Sequence, residues 1–258
     1  MRTLEHPTDV RDLAHAYARR MTPGHYFSHV TAALLFSTPL PWRFRNERVV
    51  HVSVDRPGRP ASGRGVRGHL ASSPRAIAEV DGLRVLAAAE TWCELGAILD
   101  HDELVIAADH LVRRKRPATT MEKLKTAVAA RGSARHVRAL RAALEDVRPG
   151  TDSPKETELR LLITQAGLLE PLVHFEVRDA AGDFVATPDL AYPVQKIAIE
   201  YEGKHHQSDP EVYADDITRR ELLERAGWKV ILVISAHLRD HPAWTVERIR
   251  TALAERAA

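Results

Sequence analysis

Acidic and basic side chains spaced for phosphodiester chemistry collect in the second half of the chain. Glu200 and Glu202 stand two apart in KIAIEYEG. Alternation along a strand puts both carboxylates on one face with Ala198, opposite Ile197, Ile199 and Tyr201. Asp189 precedes them in FVATPDLAY, and a hairpin pairing of the two segments brings all three carboxylates to one sheet edge. Carboxylates crowded in this way repel, so one keeps its proton or a cation neutralises the set. Mg2+ or Mn2+ is the natural cation, because each takes oxygen ligands, retains waters and accepts a substrate phosphate oxygen. Such an ion polarises the phosphate and lowers the pKa of a bound water. Lys204, His205 and His206 follow the strand directly. They offer a phosphate-pairing cation and imidazoles that titrate near neutral pH, with His206 as the candidate base or phosphate contact.

Every one of these residues also has a plainer reading. Glu156 completes a capping box with Ser153 at the start of a helix, which accounts for it without any metal. Asp189 follows a proline and suits a turn. A glutamate inside an apolar β-run is unusual, which makes Glu200 the strongest of the set. Glu202 is equally a solvated strand end, and His205 and His206 are equally surface histidines. Asp216 and Arg219 sit three apart on a helix, the spacing of an ordinary ion pair.

The elements that position these groups are legible from residue 153 onward. Ser153-Pro154-Lys155-Glu156 opens a helix that runs to about Gln165 and ends at Gly167. LVHFEVRD alternates as a strand, the turn AAGD follows, and FVATPDLAY returns. KIAIEYEG is the third strand. Asp209-Pro210 starts a helix that stops at Gly227, WKVILVIS reads as an apolar strand of the buried kind, and a last helix covers roughly 243–256. The first half reads as helices over 9–20 and 28–36 and strands over 49–54 and 66–70. A hairpin around Asp81-Gly82 comes next, then four amphipathic helices, the last two over 120–130 and 133–145. Pro149-Gly150 marks a domain boundary.

Composition sets wider bounds. The 258 residues are 44% hydrophobic and 28% charged, with a formal net charge of +2. That is ordinary globular composition with room for two cores, and the charge is too mild to argue for nucleic acid by itself. Local patterning adds to it. Arg43 to His69 holds seven arginines against Glu47 and Asp55, with Trp42 and Phe44 interleaved, and LVRRKRP adds a second basic cluster over 111–117. Both clusters fit phosphates, and both equally fit solvated faces. The single cysteine, Cys93, excludes an intrachain disulfide and a cysteine-based zinc site, and reads as core beside Trp92 and Leu95. No signal segment or membrane span is evident, so a cytoplasmic protein is expected.

The segment ATPDLAYPVQKIAIEYEGKHH, taken with DDITRRELLERAGWKVILV, resembles the PD-(D/E)xK nuclease superfamily, and most closely its very-short-patch-repair-endonuclease-like branch. That branch carries a helix glutamate, a strand aspartate, E-x-D-G with a histidine soon after, D-x-x-R on a helix, and a Gly-aromatic pair before a last strand. The matching positions are Glu156, Asp189, Glu200, Glu202 with Gly203, His206, Asp216 with Arg219, and Gly227 with Trp228. Glu202 stands where aspartate is commoner, and Glu202-Gly203-Lys204 also fits a literal E-x-K. The frame that keeps both acids on the strand is preferred. The resemblance implies an α/β, restriction-endonuclease-like αβββαβα domain over 151–258 with a central mixed sheet.

YFSHVTAALLFSTPLP, VDGLRVLAAAETWCEL and ELVIAADHLV resemble the region associated with AbiEi-type antitoxins. A smaller, mixed and largely helical α+β domain is expected over 1–150. Two functions follow as expectations. One is a Mg2+- or Mn2+-dependent DNA endonuclease in which Asp189, Glu200 and Glu202 hold the ion; the other is a non-catalytic, antitoxin-type DNA-binding regulator that uses a nuclease fold.

Overall fold

Local sequence signals set the helix starts. Asp9 accepts the Asp12 N–H at 2.9 Å and opens α1 (Val10–Ala18). The computed structural model describes residues 9–72, 75–203 and 210–256, the side chains of 210–216 excepted. Its chain divides into two compact units, Met1–Pro149 and Gly150–Ala258. Among the described residues no helix is long and apolar enough to cross a membrane.

In the first unit α1 is followed by β1 (Tyr26–Phe27), α2 (His29–Leu35), a 3-10 turn at Trp42–Phe44, β2 (Val50–Asp55), β3 (Ser62–Gly63) and β4 (Val66–Ala71). Next come β5 (Ile77–Val80), β6 (Leu83–Leu86), α3 (Ala88–Leu95), α4 (His101–Leu111), α5 (Met121–Ala130) and α6 (Val137–Asp146). The strands form one mixed sheet in the order β3-β4-β2-β1-β6-β5, with β2 and β4 parallel. Phe27, Val50, Val52 and Val85 share a face of it and are covered by Ala14, Ala32 and Leu35. The β5–β6 turn uses Asp81 (φ 51°) and Gly82 (φ 76°), two left-handed residues that match the twist of a tight hairpin. Asp100 and Glu103 make a reciprocal capping box on α4. Cys93 and Trp92 are buried, and the Trp92 Nε1–H donates to Leu104 O at 2.9 Å.

Two expectations for this unit change. It is the larger of the two units, not the smaller, and the mixed, largely helical body expected there is built on one six-stranded sheet. Of its strands the two-residue β1 and β3 were too short to show a period. The last helix begins at Val137, not 133, because Gly132 (φ 55°) and His136 (φ 65°) take left-handed backbone that a right-handed helix cannot continue through.

The second unit starts with α7 (Pro154–Gln165), whose Ser153 cap accepts the Glu156 N–H at 3.3 Å. It continues with β7 (Leu172–Val173), β8 (Val177–Arg178), β9 (Phe184–Ala186), β10 (Leu190–Tyr192), β11 (Ile197–Glu202) and α8 (Pro210–Arg225). β12 (Lys229–Ile234), α9 (Ser235–Asp240) and α10 (Pro242–Glu255) close the chain. The main sheet runs β12-β11-β10-β7; β11 is antiparallel to β10 and parallel to β12, and β8–β9 pair apart from it. The expected long hairpin is therefore broken twice, at His174 (φ 47°) and at Thr187-Pro188, where proline lacks the N–H a ladder needs. β12 lies at one end of this sheet with none of its residues exposed, and α9 is an element the sequence reading did not separate from the strand before it.

Both faces of this sheet are covered. Leu159, Ile163, Leu190, Ile197, Ile199 and Ile231 pack with Ile249 on one side, and Ala191, Ala198, Leu223 and Trp228 pack with Val177 on the other. Leu159 is fully buried in the first cluster. Leu159→Ala should lower the unfolding free energy by about 2–5 kcal/mol through lost transfer energy and a residual cavity. Urea unfolding followed by tryptophan fluorescence checks this, and a shift in the midpoint without a change in slope is expected.

Candidate functional site

The first turn of α7, the backbone kink after β7 and the approach to β10 meet at one point. Glu156, His174 and Asp189 each contribute one possible ligand atom there, and the three atoms lie within 4.8 Å of one another. Glu156 is the third residue of the helix and only 5% exposed. Its Oε2 accepts the Asp152 N–H at 2.9 Å and lies 3.5 Å from His174 Nε2. The capping box read from the sequence is therefore only half made: Ser153 caps Glu156, while the Glu156 carboxylate reaches back to Asp152 and faces the site.

His174 enters by an unusual route. Its backbone is left-handed (φ 47°), a conformation uncommon for a residue with a side chain. Its N–H donates to Asp189 O at 3.1 Å, which ties the kink to the next strand. Both ring nitrogens are buried without a hydrogen-bond partner, and Nε2 faces Glu156 at 3.5 Å and Asp152 Oδ2 at 3.8 Å. Buried polar atoms are normally satisfied, so two open nitrogens on one ring beside carboxylates call for a ligand or an ion.

Asp189 lies one residue before β10, not within it. Its Oδ2 accepts the Tyr201 N–H at 2.8 Å, which anchors it to β11. Burial is the main cause that raises its pKa from 3.8 to about 6, and the Glu156 charge adds to the rise. The Tyr201 N–H, Arg219 and His174 pull the other way.

Glu200 is 6% exposed on β11, and its Oε2 accepts from Arg219 of α8 at 2.9 Å. Arg219 thus reaches across to the sheet, and the expected Asp216–Arg219 pairing along the helix falls on a side chain outside the described residues. Glu202 is half-buried at the end of β11 opposite Ile234. Lys204, His205, His206 and the side chain of Asp216 lie outside the described residues. Of the residues singled out by sequence, the structure therefore gathers Glu156 and Asp189 with His174. Arg219 links Glu200 to this group, since its charge also acts on Asp189. His174 was missed because LVHFEVRD alternates like a strand, and histidine carries no signal for a left-handed backbone.

Two carboxylates and an imidazole with open nitrogens suit a divalent ion, with Glu156 and Asp189 as oxygen ligands and His174 as a nitrogen ligand. Of the basic side chains noted in the first unit, Arg43 is already committed: both its terminal nitrogens donate to the Glu103 carboxylate, at 2.5 Å each.

Comparisons add distant relatives only. No family model matches the chain, and no solved structure matches it significantly. Two proteins of Mycobacterium tuberculosis align with it at 26% identity over 222 residues, covering 85% of this chain and 78% of theirs. They are described as Uncharacterized protein MT2308, from strain CDC 1551 / Oshkosh, and Uncharacterized protein Rv2248, from strain ATCC 25618 / H37Rv.

Asp189 fixes a pH dependence. A carboxyl whose folded pKa lies above its unfolded value binds more protons in the native state, so its contribution to stability falls as pH rises between the two values. For Asp189 that window runs from 3.8 to about 6. In metal-free protein, Asp189→Asn should flatten the loss of stability across this window and raise Tm above it. A series of melting curves from pH 4 to 8 checks this; parallel wild-type and variant profiles would remove the argument for a buried, crowded Asp189.

Proposed function

We propose that the second unit is a metal-dependent DNA endonuclease, and the observation that carries the reading is the convergence of Glu156, His174 and Asp189 with both His174 nitrogens lacking a hydrogen-bond partner. A bound Mg2+ or Mn2+ supplies polarisation of the phosphate and a water of lowered pKa. Manganese is the better match where an imidazole joins carboxylates, because imidazole favours later transition metals over magnesium. Glu156 and Asp189 provide charge that offsets the ion, and the Asp189 side chain is held in place by the Tyr201 N–H. Arg219 is the cation that reaches this end of the sheet, and its guanidinium offers a planar contact for a phosphate while it orients Glu200. Glu202 and His206 complete the proposal, the first to orient water and the second as base or phosphate contact. DNA as the substrate rests on the resemblance of this segment to very-short-patch-repair-like nucleases, and on phosphate-ester hydrolysis as the chemistry such a carboxylate set performs.

One observation favours the second reading, a non-catalytic DNA-binding regulator. Glu200 accepts a close ion pair from Arg219, which neutralises a carboxylate that the nuclease scheme would place on the metal.

Cleavage of supercoiled plasmid by the full chain separates the two. With Mn2+ present, wild type should nick, Glu156→Ala and Asp189→Ala should fall to background, and His174→Ala should lose roughly 10–100-fold. Nicking that survives Asp189→Ala removes Asp189 from the cutting centre and overturns this assignment of the site, and wild-type protein that binds DNA and never cuts gives the lead to the regulator. A second prediction uses linkage: Mn2+ at a hundred times its Kd should stabilise wild type by about 2.7 kcal/mol. Thermal shifts should show this gain in wild type and not in Asp189→Ala.

A further inference from the structure

Three histidines of the first unit converge away from its apolar core. His51 and Ser53 alternate with Val50, Val52 and Val54 on β2, so they rise from the face opposite the buried valines. β4 runs parallel, with His51 opposite Arg67 and Ser53 opposite His69. His51 and His69 are therefore diagonal neighbours on one face, and His51 Nδ1 lies 3.1 Å from His69 Nε2. His29, the first residue of α2, brings the third ring. Its centroid is 3.8 Å from that of His69 and 5.7 Å from that of His51. One nitrogen from each ring falls within a group spanning at most 4.8 Å.

The surroundings hold these rings as a built site. His29 has a left-handed backbone (φ 52°), an arrangement that persists only where neighbours enforce it. Glu94 of α3 enforces it from behind: its Oε2 accepts the His29 N–H at 2.8 Å and lies 3.1 Å from His29 Nδ1. Ser28 Oγ sits 3.0 Å from the same nitrogen and accepts from Ser53 Oγ–H at 2.7 Å. The His51 N–H donates to Thr31 Oγ1 at 2.8 Å. A carboxylate on one imidazole nitrogen fixes the tautomer and leaves the other nitrogen as a ligand, which is the usual outer partner of a metal-bound histidine.

We propose that His29, His51 and His69 bind one zinc-class transition-metal dication, with Glu94 as the positioning residue behind His29.

The chemistry agrees with that assignment. Burial and the neighbouring rings push His29 down to about 3; burial and the His69 charge push His51 down to about 4; burial, then Arg67, lowers His69. All three rings are neutral at pH 7 and each carries one lone pair, so binding requires the proton between His51 Nδ1 and His69 Nε2 to move to an outer nitrogen by a change of tautomer. Imidazole nitrogens select zinc, copper, nickel or iron over magnesium and calcium. Zinc at about 2.0–2.1 Å from each nitrogen, with the fourth position left to water, is the three-histidine arrangement of open sites. His29 and His69 are half-buried, so water reaches the group. Of the cations near the rings, Arg75 and Arg131 are paired with Glu90 at 2.6 and 3.5 Å, while Arg67, opposite His51 on β4, is a charge the ion has to outweigh. Binding requires the stacked His29 and His69 rings to fan apart around the ion.

The test uses the full chain, stripped with chelator and titrated with Co2+ alone and then with Zn2+. Wild type should take up one Co2+ with the visible absorption of imidazole coordination, and Zn2+ should displace it. His69→Gln and His29→Gln, each verified as folded by circular dichroism, should weaken that signal at least about 100-fold, and Glu94→Gln about 10–100-fold. Asp189→Asn should leave it unchanged, which keeps this site distinct from the one in the second unit. Wild-type protein without the signal, or a signal that persists in both histidine variants or vanishes in Asp189→Asn, overturns the assignment.

Discussion

Like charges brought together out of water set the terms for the second unit. Glu156 and Asp189 share a space closed to solvent on most sides, with an imidazole between them that has no hydrogen-bond partner. Coulomb repulsion at such separations is several-fold stronger than in bulk water, because little solvent remains to screen it. Two routes relieve it. A proton can stay on Asp189, which its raised pKa of about 6 permits in weak acid and not at neutral pH. The proposed divalent ion would neutralise both carboxylates and engage one of the two His174 nitrogens, and it would do so at neutral pH as well.

The rest of the unit is arranged to keep that space from relaxing. The Ser153 cap and Pro154 fix where α7 begins, which fixes Glu156. β10 pairs with both β7 and β11, so Asp189 is stretched between two ladders at the start of its strand. The Tyr201 N–H holds the Asp189 carboxylate, and the His174 N–H holds its carbonyl. Under these restraints the repulsion cannot be relieved by moving a side chain away, and the cost of crowding persists until something binds. A pre-organised charge of this sort adds affinity for a cation that a flexible cluster would lose to ordering.

How much of this was readable before the structure depended on how local the signal was. The helix start that carries Glu156 was legible because Ser153 and Pro154 are local signals, although the Glu156 carboxylate takes the Asp152 N–H instead of closing the box on Ser153. Glu200 stood out because an acid inside an apolar β-run violates the alternation around it, and the structure buries its side chain. Asp189 was placed one residue too far into its strand, since Pro188 breaks the ladder just before it. His174 gave no signal: a left-handed turn is announced by glycine or asparagine, and here a histidine takes that backbone under tertiary restraint. The three histidines of the first unit were invisible for a different reason. They are far apart in sequence, and only the parallel β2–β4 pairing, which no local spacing encodes, sets their register. The contact from Arg219 to Glu200, nineteen residues away across the fold, was likewise beyond any local spacing.

The two clusters solve opposite electrostatic problems. In the second unit the proposed ligands are charged and repel, so an ion would be drawn mainly by net charge and hard oxygen donors, and its affinity should fall as Asp189 takes up its proton. In the first unit the ligands are neutral imidazoles, whose burial has already disfavoured protonation, so selection rests on donor softness and angular fit. The apolar sheet face behind His51 makes charging those rings expensive, which preserves their lone pairs well below neutral pH. A dication held there would bring the only full positive charge the imidazoles need to stabilise, and Glu94, raised to about 7 by its own burial, would be drawn to its ionised form by the ion beside it. The carboxylate behind the ring and the ion in front of it would then reinforce each other, each making the other's charge less costly to bury.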